Sequence, residues 1–71
     1  MDAIATAALT SWRTLQGVIA VLTEDQVAAM LDHEMDNKRR TMIVVRLHQR
    51  YCALRDARER GEIMIRMGVM S

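Results

Sequence analysis

The tetrapeptide Thr23-Glu24-Asp25-Gln26 decides more about the fold of this chain than any other stretch. The apolar periodicity runs on from Ala5 to Leu31, and by itself it would read as one long helix. The tetrapeptide divides it. An N-cap Thr hydroxyl accepts from the backbone N–H three residues on, and a Gln at that position reaches back to the N–H of the cap. Glu24 and Asp25 place negative charge at the positive end of the helix dipole. Leu22 and Val27 flank the cap as a hydrophobic staple. A new helix therefore starts at Glu24.

Helical spacing holds on both sides of that boundary. Ala5, Ala8, Trp12, Leu15, Ile19 and Leu22 recur at intervals of 3, 4, 3, 4, 3, which predicts a first helix over about 2–22, its stripe widened by Ile4, Val18 and Val21. Gly17 inside it costs about 1 kcal/mol relative to Ala and marks either a close approach or a weak point. The second helix, about 24–37, would bury Val27, Met30, Leu31 and Met35 and stop where Asn37 adopts a left-handed cap. The third, about 40–66, carries Val44, Leu47, Tyr51 and Leu54 at 3, 4, 3, with Ile43 beside them. Past Leu54 that register meets Arg58 and Gly61, and the seam weakens. Charge pairs four apart then support an exposed extension: Arg55–Glu59, Asp56–Arg60, Arg58–Glu62 and Glu62–Arg66. Residues 67–71 read as a frayed tail.

The expected fold is an all-α single domain of three helices, a helical hairpin or bundle completed by oligomerisation. β-rich domains need turn punctuation every 8–12 residues, and a chain with no proline and three glycines lacks it. At 51% apolar residues the chain does not have the composition of a disordered one. Cys52 is the only cysteine, so no internal disulfide can staple the fold, and a reduced, cytoplasmic setting is expected. Residues 3–22 carry Arg13 and Gln16 at their centre, against a membrane span of about 20 apolar residues. Asp2 stands where a signal peptide would be basic. No membrane association is expected.

Charge is divided along the chain. Residues 1–37 hold one base and six acids, net −5; residues 38–71 hold nine bases and three acids, net +6. Two helices longer than a compact domain of this size needs, and a middle one too short to cover both, leave apolar stripe over. A homodimer answers both facts, because it covers the stripe and brings acidic and basic halves together. The core or dimer seam would be Trp12, Leu15, Ile19, Val44, Leu47, Tyr51 and Leu54. The candidate partner-binding residues are Arg39, Arg46, Arg50, Arg55 and Arg58, of which the first three share one sector of the helical wheel.

Little in the sequence points to catalysis. His48 and Cys52, four apart, can present two metal ligands on one face, but a closed zinc site needs two more at suitable spacing. No glycine-rich phosphate loop is present. A non-enzymatic protein without metal or cofactor is expected.

Two resemblances bear on function. Leu22–Leu31 resembles the first helix of helix-turn-helix modules, and Arg39-Arg40-Thr41-Met42 the start of their recognition helix. Residues 32–38 intervene, where those modules have a turn of about three residues. With the arginine stripe, this makes DNA binding the alternative function. The stretch Arg46-Leu47-His48-Gln49-Arg50-Tyr51-Cys52-Ala53-Leu54-Arg55-Asp56-Ala57-Arg58-Glu59-Arg60, preceded by the capped Leu22–Leu31 helix, resembles small helical proteins of tailed phages and prophages. The likeness covers about 22–62 and carries no functional residue over. It implies a small modulator that binds a host or phage protein in the host cytoplasm.

Overall fold

The computed structural model describes residues 1–68, and every regular element among them is helical. Helices α1 (Ala3–Ala8), α2 (Trp12–Val18), α3 (Glu24–Asp36) and α4 (Thr41–Arg66) follow in order, with a 3₁₀ turn, Ile19–Val21, after α2. The chain is all-α, as expected. Of the expected tail, 69–71 lie outside the described residues. Met67 and Gly68 close α4, donating to Ile63 O and Ile65 O at 3.0 Å each. Gly68 sits at φ +77°, a left-handed position that suits a residue without Cβ.

The helix expected over 2–22 is in fact two helices. Asp2 caps α1, accepting from Ala5 N–H at 2.7 Å, and Ser11 caps α2, accepting from Thr14 N–H at 3.2 Å. Ser11 is extended (φ −157°, ψ 163°), so the helix cannot pass through it. Short polar side chains of this kind offer the backbone an alternative to helix continuation. The chain also reverses here. Asp2 accepts from Gln26 in the first turn of α3 (3.1 Å), and Leu9 O accepts from Arg40 beside its end (2.7 Å), so α1 runs alongside α3. Gln16 and Ala20 then meet Arg46 and Arg50, so α2 runs back alongside α4. Each half keeps its own part of the apolar spacing inward: Ala5, Ala8 and Leu9 from the first, Leu15 and Ile19 from the second. Gly17 answers to no close neighbour, since a Cβ there would meet nothing within 4 Å.

The boundary at Thr23 forms as read. Gln26 N–H donates to Thr23 Oγ1 at 3.1 Å, and Thr23 N–H donates to Gln26 Oε1 at 2.8 Å. Helix α3 buries Val27 and Met30, but Met35 is exposed, and Glu34 takes the inward place expected of an apolar residue. Asn37 is not left-handed (φ −121°, ψ −99°); its side-chain amide donates to His33 O at 2.8 Å. The left-handed residue is Arg39 (φ 53°), whose N–H reaches back to Glu34 O at 2.8 Å and closes the turn. Glu34 with Arg40 beside that turn, and Glu24 with Arg58 at the far end, define an antiparallel αα-hairpin of α3 and α4. Helix-turn-helix modules instead set their helices at about 90–120°.

The bundle is thus two hairpins, α1–α2 packed on α3–α4. Its core is Ala5, Ala8, Leu9, Leu15, Ile19, Leu22, Val27, Met30, Ile43 and Leu47, with Val18, Leu31, Tyr51 and Leu54 packed against it. Helix α4 outruns its neighbours. Its 26 residues span about 39 Å, most of the 44 Å long axis, and the turns after Arg58 project beyond the start of α3.

Candidate interaction surface

Of the seam predicted from spacing, Leu15, Ile19 and Leu47 are buried, while Val44, Tyr51 and Leu54 are half-buried. Trp12 is not core. The reversal at Ser11 makes it the first residue of α2, and it lies at the bundle edge, 37% exposed. Met42 (63% exposed) and Val45 (49% exposed) border the same surface. Two open clefts adjoin Trp12 there. One, of about 320 Å³, is bounded by Arg40, Thr41, Met42 and Ile43; the other, of about 330 Å³, by Thr41, Met42, Val45, Arg46 and Gln49. Far along α4, Ile63, Ile65 and Met67 are exposed as well. Val45 and Ile63 are 18 residues apart, five full turns, and so share one meridian about 27 Å apart along the axis.

The five candidate arginines do not form one free stripe. Arg39 turns back and donates to Met35 O at 2.8 Å. Arg46 donates to Gln16 Oε1 at 3.0 Å, and Arg50 donates through Nη2 to Ala20 O at 3.1 Å, so both fasten α2 and the 3₁₀ turn to α4. Arg50 Nε is buried without a partner among the described residues. Arg55 lies 3.8 Å from Glu59, with its guanidinium 5.7 Å from the centre of the Tyr51 ring. Arg58 bridges Glu24 at 2.9 Å and Glu62 at 3.1 Å, and hydrogen bonding to both carboxylates raises its pKa. Of the four charge pairs expected along the extension, Arg55–Glu59 and Arg58–Glu62 are formed.

The charged centre that spacing missed is Glu34 with Arg40. Glu34 is 1% exposed. Arg40 grips it with Nε on Oε2 and Nη2 on Oε1, each 2.8 Å, and its backbone N–H adds a third bond at 2.9 Å. These bonds hold the Glu34 pKa down to about 2, against the desolvation that would raise it. The same guanidinium reaches Leu9 O, so one side chain ties the end of α1 to the α3–α4 turn. The only trace of this in the sequence is a carboxylate on the inward stripe of α3, seven residues after Val27 and four after Met30. His48 and Cys52 do meet, with Nε2 and Sγ 3.5 Å apart. Among the described residues no group of three or more His, Cys, Asp or Glu is placed to hold a metal ion.

No protein-family model, curated protein or solved structure matches this chain. No helix among the described residues is long and apolar enough to cross a membrane. What the geometry offers is a small helical bundle with apolar patches at the two ends of α4's outer face, beside arginines that each make at least one contact within the chain.

Proposed function

We propose that this chain is a small non-enzymatic protein-interaction module. Its contact face is the outer side of α4, centred on Trp12, Met42 and Val45. The observation that carries this reading is the contrast between that face and the arginines beside it. Arg46 and Arg50 are committed to Gln16 and Ala20, whereas the aromatic ring and its two aliphatic neighbours meet solvent. Aromatic and Met side chains beside open clefts are what protein contacts use as anchors. The resemblance to small phage and prophage proteins points the same way, toward a host or phage protein as the thing bound.

The test is a pull-down of the tagged chain from nuclease-treated host lysate, set beside Met42→Asp/Val45→Asp. The reading expects a stoichiometric protein that survives nuclease and is lost in the double variant. DNA binding predicts the reverse pattern: retention of duplex DNA that weakens with salt and is lost in Arg46→Glu/Arg50→Glu, but kept in Met42→Asp/Val45→Asp. That outcome would replace the proposal.

A further inference from the structure

We infer that the outer face of α4 is completed by a second copy of the chain, the two α4 helices pairing antiparallel about a two-fold axis near residue 54. This rests on the reading of that face as a protein contact, and takes a second copy, in place of a host or phage protein, as what covers it.

The surface area argues for an occupant of this size. A compact chain of 8.1 kDa exposes about 4,500 Å², and this one exposes 5065 Å². The surplus, about 570 Å², is some seven-tenths of the roughly 800 Å² that each partner buries in a standard interface. The radius of gyration says the same: 14.0 Å, against about 11 Å for a compact domain of 71 residues.

The placement of the patches sets the arrangement. Two apolar patches sit at the two ends of one helix face, Met42 and Val45 with Trp12 at one end, Ile63 and Met67 at the other. A two-fold axis midway exchanges the ends, so Val45 meets the partner's Ile63 while Ile63 meets the partner's Val45. Both patches are covered in one closed contact. The slim projecting end of α4 then lies against the clefts beside Trp12.

Charge weighs against the parallel alternative. Asp56 and Glu59 occupy the middle of the same face, at heptad spacing from Met42, Val45 and Gln49. In a parallel pair each would oppose its own copy, carboxylate against carboxylate. In the antiparallel register Asp56 lies opposite the partner's Cys52, and Glu59 opposite the partner's Gln49. One flank brings Arg46 toward the partner's Arg60 and the other brings Arg55, next to the axis, beside its own copy, so salt should strengthen the pairing, the opposite of its effect on DNA binding.

Light scattering at micromolar concentration gives the mass, and cysteine cross-linking gives the register. The expected particle is twice the 8.1 kDa chain, reverting to a single chain in Ile63→Asp, with helical circular dichroism retained. In a Cys52→Ser background, chains carrying Val45→Cys should link to chains carrying Ile63→Cys through a short bismaleimide. Val45→Cys alone should not link to itself, because its two copies lie about 27 Å apart. Self-linking of Val45→Cys overturns the antiparallel register. A single-chain particle at every concentration overturns the pairing, but leaves the interaction reading standing if Met42→Asp/Val45→Asp still abolishes capture of another protein. Loss of both removes the reading as well.

Discussion

Glu34 shows why a single residue can govern a small bundle. A carboxylate buried to this degree survives as an ion only if its lone pairs are occupied, and Arg40 occupies them with three hydrogen bonds. Because its folded pKa, about 2, lies below the usual 4.5, the stability it contributes is complete above that ordinary value and drains away as pH falls toward 2. Urea unfolding at pH 6 and pH 3 should therefore show a marked loss for the native chain. Glu34→Gln should start less stable and change less between the two values. Arg40→Ala, which leaves Glu34 unpaired, should cost about 2–3 kcal/mol at pH 6. That is below the roughly 3–5 kcal/mol of a fully buried pair, since 30% of the Arg40 side chain is exposed. A native chain no more acid-sensitive than Glu34→Gln would contradict this account. Spacing alone did not reveal the pair: Glu34 reads as an interruption of an apolar stripe, and its partner lies six residues on, in a turn rather than on a helix face.

At the scale of elements, the boundaries marked by side-chain chemistry were legible, and the reversal in the chain was not. The box at Thr23 and Gln26 can be read because it specifies two reciprocal hydrogen bonds, and both are present. The break at Ser11 carries a similar but weaker signal, a hydroxyl cap with Thr14 at the third position, inside a seam whose heptad spacing never falters. A seam of period 3.5 fits one straight helix or two helices folded back on each other, and only contacts far along the chain tell them apart. Two substitutions separate these arrangements. In a continuous helix Ser11→Ala would raise stability, because Ala is the better helix former. With Ser11 as an N-cap it should lower stability by about 1 kcal/mol. Gly17→Ala should raise it by about 0.5–1 kcal/mol, since the added methyl meets open space. Denaturant midpoints for the two variants, moving in opposite directions, are the expected result.

At the scale of the whole molecule, the division of charge along the chain becomes geometry. The acids of α3 face bases that follow them: Glu34 holds Arg40 at the turn, and Glu24 holds Arg58 at the far end, so the hairpin is fastened at both ends. Arg46 and Arg50 fasten the second hairpin to the first. Ion pairs within the fold take up Arg40, Arg55 and Arg58, while Arg46 and Arg50 make one hydrogen bond each to neutral acceptors and keep their charge. The exposed apolar surface lies elsewhere, in patches at the two ends of the outer face of an α4 that outreaches the bundle. That the helix is long could be read from its charge pairs; that Trp12 stands outside the core could not, because its exposure follows from the reversal at Ser11, one residue earlier. Trp12 is also the single tryptophan, so its fluorescence reports on that face alone. The most direct test is to follow its emission and acrylamide quenching as the chain is concentrated from nanomolar to high micromolar. A shift to shorter wavelength and a fall in quenching are expected in the native chain, both absent in Val45→Asp. Emission and quenching that stay constant across that range, as they are in Val45→Asp, would contradict the claim that this face is covered by a second copy.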